Sequence, residues 1–426
     1  METSGRYAFA YQPVLNADQA SVAVELIYRH AAPLDGDEAA AAANAVLSAF
    51  IHAGLDDLLR LRRAFVPANE QLLASDLLHL LPADRFALEV SAPVAAKMIE
   101  RCQQLREQGY RLIVEAGEGR TLGPAAAVAD VVMFDGPRAA LGGCESLIEE
   151  AWGGGAQLYA RGVETQEVFD TLQRKGFHLY QGYYFAHRQE VSGERADPRK
   201  LAVLEVLAKL AGDADDRVLE GSFKTDPVLS IHLLRLVNSS AFALPTPIRS
   251  LKHAFSILGR QQLARWLQVL LYVLDGESEA SPLLELALRR ARFMEFVLTY
   301  RTHQERSMLQ DEAYMVGLLS LADVLMNWPM ERIVERLHLA DELKAALVER
   351  RGPLGRLVEL CGKLEQADFE AAEAISAELQ LTEEAIVTAQ QEALVWAHRV
   401  IHGAPPEEAP TEGADGNAPT AGDAAD

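Results

Sequence analysis

Cysteine is scarce in this 426-residue chain: three residues, Cys102, Cys144 and Cys361, far apart and in no C-x-x-C spacing. An odd, scattered set argues against a disulfide framework and against structural zinc, and makes a reducing cytoplasm the expected compartment. Positive charge is also in short supply. Forty Lys and Arg face 62 Asp and Glu, the net charge is −22, and no basic run offsets it. This balance argues against nucleic acid or an anionic membrane surface as the main partner. Long apolar runs are missing as well. The longest, Trp266 to Leu274, carries Gln268 and is too short to span a bilayer, and the N-terminus has no charged-then-apolar signal pattern. The expectation is a soluble cytoplasmic protein, with length for two domains that each bury a core.

What is present divides in two. In the first half, Tyr7–Leu15 and Ser21–Arg29 read as strands around an Asn16–Asp18 turn. Alternation puts Val22, Val24, Leu26 and Tyr28 on one face of the second strand and Ala23, Glu25 and Ile27 on the other. Glu25 stands out, because a carboxylate facing a core needs a partner or a metal. Further strands are expected at Phe86–Val90, Arg111–Glu115, Val131–Phe134, around Leu158 and Ala160, and at Phe177–Tyr180. Helices are expected at Glu38–His52, Leu55–Arg63, Asn69–Leu80, Pro93–Glu107 and Cys144–Trp152. One more follows Thr165, a plausible N-cap, and stops at Gly176. Strands separated by helices argue for a parallel sheet, and this many in so short a span for a closed α/β barrel. The loops Arg161–Glu164 and Gln181–Tyr183 would then lie at the ligand-facing ends of their strands.

Tyr11-Gln12-Pro13, Glu25-Leu26-Ile27-Tyr28-Arg29, Gly162-Val163-Glu164-Thr165 and Gln181-Gly182-Tyr183 resemble, in order and spacing, the landmarks of EAL domains (YQP, EALxR, EGVET, QGY). The resemblance covers roughly residues 6–187 and implies a modified TIM barrel. Active members hydrolyse the bacterial messenger cyclic di-GMP with two divalent cations about 3.5–4 Å apart, which need several carboxylates and a carboxamide converging on them. Position by position, Glu25 stands at the EAL glutamate and Glu89 at the next metal-binding glutamate. Pro67 falls near the family's metal-binding asparagine. Glu115-Ala116 aligns with its Asp-Asp pair, and Met133 with its lysine, while Asp135 remains. Arg161 replaces the glutamate that opens EGVET. Exchanging carboxylates for Pro, Ala and Arg removes the cations' charge compensation, so the expectation is a barrel without catalysis and without bound metal (Mg or Mn only if phosphodiesterase activity persists). Glu25 and Arg29 could instead be plain strand-end charges, and Arg161 could pair with Glu25, Glu89 or Glu115 as a structural cation. Gln12, Arg29 and Gln181 match positions that contact the dinucleotide in the family, which keeps metal-free binding of cyclic di-GMP open. Glu25, Glu89, Glu115 and Glu164 keep a weak phosphodiesterase open.

Beyond a polar stretch at Glu190–Arg199, broken by Gly193 and Pro198, strand signals vanish and helices are expected to about His402. They include Leu201–Ala211, Pro227–Asn238, Leu251–Leu258, Gln261–Leu274, Pro282–His303, Glu312–Met326 and Glu383–His402. The stretch from Leu233 through Asn238, Pro245, Pro247 and Ser250-Leu251, continued by Ala254–Leu258 and Gly259, resembles the signature of HDOD domains, all-helical relatives of HD phosphohydrolases. HD hydrolases need a His-Asp dipeptide, and this chain has none; Ser320-Leu321 fills its place, and His232, His253 and His303 stand singly. Asp323 and Trp328 lie in a Gly317–Pro329 segment similar to that of paired EAL–HDOD proteins. Gly403–Asp426 has six carboxylates and no Lys or Arg, and is expected to be disordered.

The expected organisation is an EAL-type α/β TIM-like barrel over 1–189, a linker over 190–199, an all-α HDOD domain over 200–402 and a tail over 403–426. The expected role is a non-catalytic signalling adaptor whose HDOD and barrel surfaces bind other signalling proteins.

Overall fold

In the computed structural model the described residues are 7–30, 62–117, 119, 121–187, 197–212, 214–225, 233, 251–273, 281–302 and 308–402. The helices expected at Glu38–His52 and Pro227–Asn238, most of the Leu55–Arg63 helix, His232, His303 and the acidic tail lie outside them.

The first half forms strands β1 (Tyr7–Asn16), β2 (Ser21–His30), β3 (Arg63–Pro67), β4 (Phe86–Ser91), β5 (Arg111–Glu115), β6 (Val131–Asp135), β7 (Gln157–Arg161) and β8 (Leu179–Gln181). They close into a barrel in chain order. Strand β1 runs antiparallel to both neighbours, β2 and β8, and every other pairing is parallel. The Asn16 side chain holds the β1–β2 turn by accepting the N–H groups of Asp18 and Ala20.

Strand β3 corrects the sequence reading. Arg63 was expected to end a helix, but Arg63-Ala-Phe-Val-Pro67 is a strand between β2 and β4. Ala64, Phe65 and Val66 are buried on both sides, and a short run buried on both faces has no period to distinguish strand from helix. Residues pointing into the barrel include Val14, Ala23, Phe65, Ala87, Ile113, Val131, Met133, Tyr159 and Leu179, which pack as one cluster. Phe65 meets Tyr159 edge-on at 5.6 Å. This plug fixes the floor on which the site is built.

Helices α1 (Glu70–Ala74), α2 (Ala92–Lys97), α3 (Ile99–Glu107), α4 (Gly136–Leu141), α5 (Glu145–Gly153) and α6 (Gln166–Arg174) alternate with the strands. Asn69, Asp135 and Thr165 cap α1, α4 and α6 through their side chains. Helix α4 was not among the expected elements; Asp135 as N-cap and the proline in the first turn start it.

The second half is helical. Asp197 caps α7 (Pro198–Ala211), so the last two residues of the expected Glu190–Arg199 linker, Pro198 and Arg199, belong to this helix. Then follow α8 (Asp216–Thr225), α9 (Leu251–Val273), α10 (Pro282–Thr302), α11 (Met308–Leu319), α12 (Ala322–Met326), α13 (Met330–Leu337), α14 (Asp341–Glu349), α15 (Gly352–Glu365), α16 (Phe369–Glu378) and α17 (Glu383–His402). Gly259, at φ 69° and ψ 167°, kinks α9 where two helices were expected. The helix expected over Glu312–Met326 is interrupted at Ser320-Leu321. Helices α10 and α11 cross closely at Gly317, where a Cβ would stand 2.6 Å from the Cα of Ala291.

The two halves share a seam. Tyr183, just past β8, belongs to the helical core, and Leu394 of α17 belongs to the barrel's outer core. Arg62, just before β3, donates to Glu285 of α10 at 2.8 Å with both side chains buried. Burial pushes the Glu285 carboxyl up, but Arg62, helped by Arg289 and His398, holds it below the ordinary range. Its stabilising contribution is therefore present above the unfolded carboxyl's pKa and lost as pH falls through the folded value. Replacing Arg62 alone by Leu strands a buried carboxylate and is expected to cost about 3–5 kcal/mol in a denaturant titration. The double change Arg62→Leu with Glu285→Leu is expected to recover most of that loss, and an Arg62→Leu variant as stable as wild type would refute the pairing's role.

Candidate functional site at the barrel mouth

Inward positions near the ends of β2, β4 and β7 bring Glu25, Glu89 and Arg161 together, three side chains far apart in sequence. Glu25 is 1% exposed and Glu89 7%. The Arg161 guanidinium lies between them, with one nitrogen (Nη2) pairing with both Glu25 and Glu89, the latter at 2.6 Å. Tyr159, one turn of the pleat below Arg161, donates its hydroxyl to Glu25 at 3.1 Å. No sequence reading singled out Tyr159. Strand alternation was the available signal, since Tyr159 and Arg161 share the inward face of β7.

One cation here serves two buried carboxylates. Burial raises the Glu25 carboxyl, against the pull of Arg161. For Glu89, burial and the neighbouring Glu25 charge outweigh Arg161 and push the carboxyl up to about 8. A short ion pair and a raised pKa are compatible because a single guanidinium cannot neutralise both acids, so the pair retains a proton at neutral pH. Burial, with the charges of Glu25 and Glu89, also raises the Tyr159 hydroxyl well above its ordinary value and keeps it a donor.

The remaining expected positions do not join this cluster. Glu115 is exposed at the rim. Asp135 is exposed and spends its carboxylate on capping α4 through the Arg138 N–H at 2.9 Å. Glu164 is exposed, 3.8 Å from His187. Pro67 ends β3 at the same rim, Met133 is buried in the interior plug, and Ala116 follows Glu115. Among the described residues, no group of three or more His, Cys, Asp or Glu is arranged to hold a metal ion. Arg29 lies on β2, and its side chain is outside the described set.

Gln12 and Gln181 do meet, and both are engaged. Gln181 accepts the Gly162 N–H at 2.9 Å and donates to Gln12. Gln12 in turn donates 2.6 Å to the main-chain carbonyl of Glu365, at the end of α15. Glu365 is gripped by Arg290 of α10 through two bonds of 2.7 and 2.6 Å, and Arg290 reaches Ser320 at 3.1 Å. Ser320 bonds back to the Gly317 carbonyl at 2.7 Å, and Leu321 is buried. A continuous polar chain thus joins the barrel mouth to the position that aligns with the His-Asp dyad. Gly182 makes this possible: its φ is 141°, and a Cβ would fall 2.1 Å from the Val163 carbonyl.

Residues 203–349 match the family model described as the HDOD domain. The uncharacterised protein YuxH of Bacillus subtilis (strain 168) is 26% identical over 415 residues, covering 93% of this chain and 99% of YuxH. The cyclic di-GMP phosphodiesterase CdgJ of Vibrio cholerae (El Tor Inaba N16961) is 27% identical over 405 residues, covering 92% of each. Among solved structures, the EAL domain of Mycobacterium smegmatis DcpA is 19% identical, covering 42% of this chain and 90% of that one at a TM-score of 0.35. A manganese/cyclic di-GMP complex of Klebsiella pneumoniae BlrP1 is 20% identical, covering 43% and 56%, at 0.37.

The raised Glu89 carboxyl sets a stability profile. Its neutral form fits the fold, so its contribution is complete below the unfolded value near 4.5 and is lost as pH rises through about 8. Glu89→Gln removes that titration, and its melting temperature relative to wild type is expected to climb by several degrees between pH 6 and pH 9. A difference that is flat with pH would show that Glu89 is ionised throughout.

Proposed function

We propose that this chain, an EAL-like barrel followed by an HDOD domain, is a signalling protein of cyclic di-GMP or two-component pathways that acts by protein–protein contact and turns over no substrate. The observation that carries the reading is Arg161. A pair of divalent cations needs converging negative charge, and here the two buried acids of the mouth already share a guanidinium and a proton. A third converging acid is missing at the mouth, and the Arg161 guanidinium supplies positive charge where paired cations would need negative charge. The helical domain and the barrel exterior then remain as the working surfaces. That the interior polar groups of the mouth are tied to the helical domain through Gln12 and Glu365 supports a protein that reports a docked arrangement to a partner.

A relative of similar length carries the name phosphodiesterase, and that second reading makes the opposite forecast. With the full chain, Mn²⁺ or Mg²⁺ and labelled cyclic di-GMP, no linear dinucleotide is expected; robust metal-dependent product would overturn the proposal. Arg161→Glu supplies the missing charge and is expected to gain a Mn²⁺-dependent rise in melting temperature that wild type lacks. A titration of wild type with cyclic di-GMP separates the adaptor from a receptor. Absence of heat fits the adaptor, while a low-micromolar response abolished by Arg29→Ala would replace it with metal-free nucleotide sensing.

A further inference from the structure

The end of the barrel opposite the mouth has a charge balance unlike that of the chain as a whole. Strands β3, β5 and β7 begin there with Arg63, Arg111 and Gln157. Each stands two residues before a member of the interior plug, Phe65, Ile113 or Tyr159, so strand alternation turns all three inward. Inward residues from alternate strands of such a barrel share one layer, and here that layer is polar. A cleft of about 420 Å³ opens on these three side chains and is lined also by Arg106 and Asp130.

Three arginines thus face one aspartate, and the aspartate is already committed. Asp130 Oδ1 accepts two bonds from Arg106, of 3.1 and 2.8 Å, and Oδ2 accepts the Leu112 N–H at 2.9 Å. Arg111 donates to the Gln157 side-chain oxygen at 2.6 Å, which leaves its other N–H groups and the Gln157 amide nitrogen as donors. Arg63 has no hydrogen bond or ion pair with any described residue. Burial and the facing Arg63 charge lower the Arg111 guanidinium, and Asp130 offsets this only in part. Two guanidiniums without carboxylates of their own therefore meet in a cleft rich in donors, on a chain of net charge −22. They repel one another, and an anion between them would turn that repulsion into attraction.

We propose that this cleft binds a small phosphate monoester, whose dianionic phosphoryl oxygens accept from Arg63 and Arg111. Planar guanidinium forks match phosphate oxygens in pairs. The volume falls in the roughly 300–1,000 Å³ of ligand sites and leaves room beyond the phosphoryl group for a small, hydroxyl-bearing remainder. The site shares no residue with the mouth and stands whether or not the barrel turns over a substrate.

The test uses the full chain at constant ionic strength, with glycerol 3-phosphate and inorganic phosphate as probes and potassium chloride as the control. In calorimetric titration glycerol 3-phosphate is expected to bind with a constant of about a millimolar or better, and to raise the melting temperature where chloride does not. Binding is expected to strengthen as pH rises through about 6, where a phosphate monoester gains its second charge. Arg63→Gln is expected to weaken binding about tenfold and, by relieving repulsion, to melt no lower than wild type. Arg63→Lys keeps the charge without the fork and is expected to weaken binding severalfold. Absence of binding by either probe, binding that survives Arg63→Gln unchanged, or an Arg63→Gln variant less stable than wild type would each overturn the site. Inorganic phosphate binding more tightly than the ester would overturn the assignment to an ester.

Discussion

One guanidinium between two buried acids is the constraint on which the barrel mouth depends. Burying a carboxylate is costly, and burying two around one guanidinium nitrogen is worse, because each raises the energy of the other's charge. Arg161 holds the arrangement together from above and Tyr159 from below. The interior plug of Phe65, Ile113, Met133 and Tyr159 packs in the barrel beneath them, and burial pushes both acids upward. The same geometry would accept a cation in place of the guanidinium only if further negative charge converged. The nearest candidates, Glu115, Asp135 and Glu164, are turned to the rim or to helix capping.

The second constraint is the seam between the halves. Strand β1, the one antiparallel strand beside β8, is where the helical domain attaches. Gln12 bonds to the Glu365 carbonyl, and the Tyr11 carbonyl accepts from Arg289 at 3.1 Å. Around these polar contacts, Tyr183 and Leu394 each sit in the other half's core, and the buried Arg62–Glu285 pair fixes α10 against the foot of β3. Association of the halves is thus both apolar and specific. The apolar exchange supplies contact area, and the buried pair and carbonyl bonds leave few alternative registers, since a shifted docking would strand a charge. Ser320 and Gln181 are joined by hydrogen bonds through Arg290, Glu365 and Gln12.

Much of the architecture was legible in the chain. Alternation in Ser21–Arg29 separated Glu25 from Val24 and Leu26 correctly, because a strand has a fixed period of two and a closed barrel has a dry interior. Thr165 as cap and Gly176 as stop placed α6, since these residue types solve local backbone problems that need no distant partner. Strand β3 escaped for the converse reason, since a five-residue run buried on both faces carries no distinctive local pattern, whereas the start signal of α4, Asp135 before Gly136-Pro137, was present in the chain and passed over.

By itself, then, the sequence determined the order barrel-then-helices, the family landmarks and the presence of an arginine where the resemblance implied a glutamate. It left open which acid Arg161 would meet, naming Glu25, Glu89 and Glu115 alike. Only the tertiary structure chose the first two, because choosing requires the strand tilt and closure that bring β2, β4 and β7 to one point. It alone tied Gln12 to Glu365, residues 353 positions apart. Local residue chemistry is written along the chain; which charges and amides come to face one another is set by packing across it.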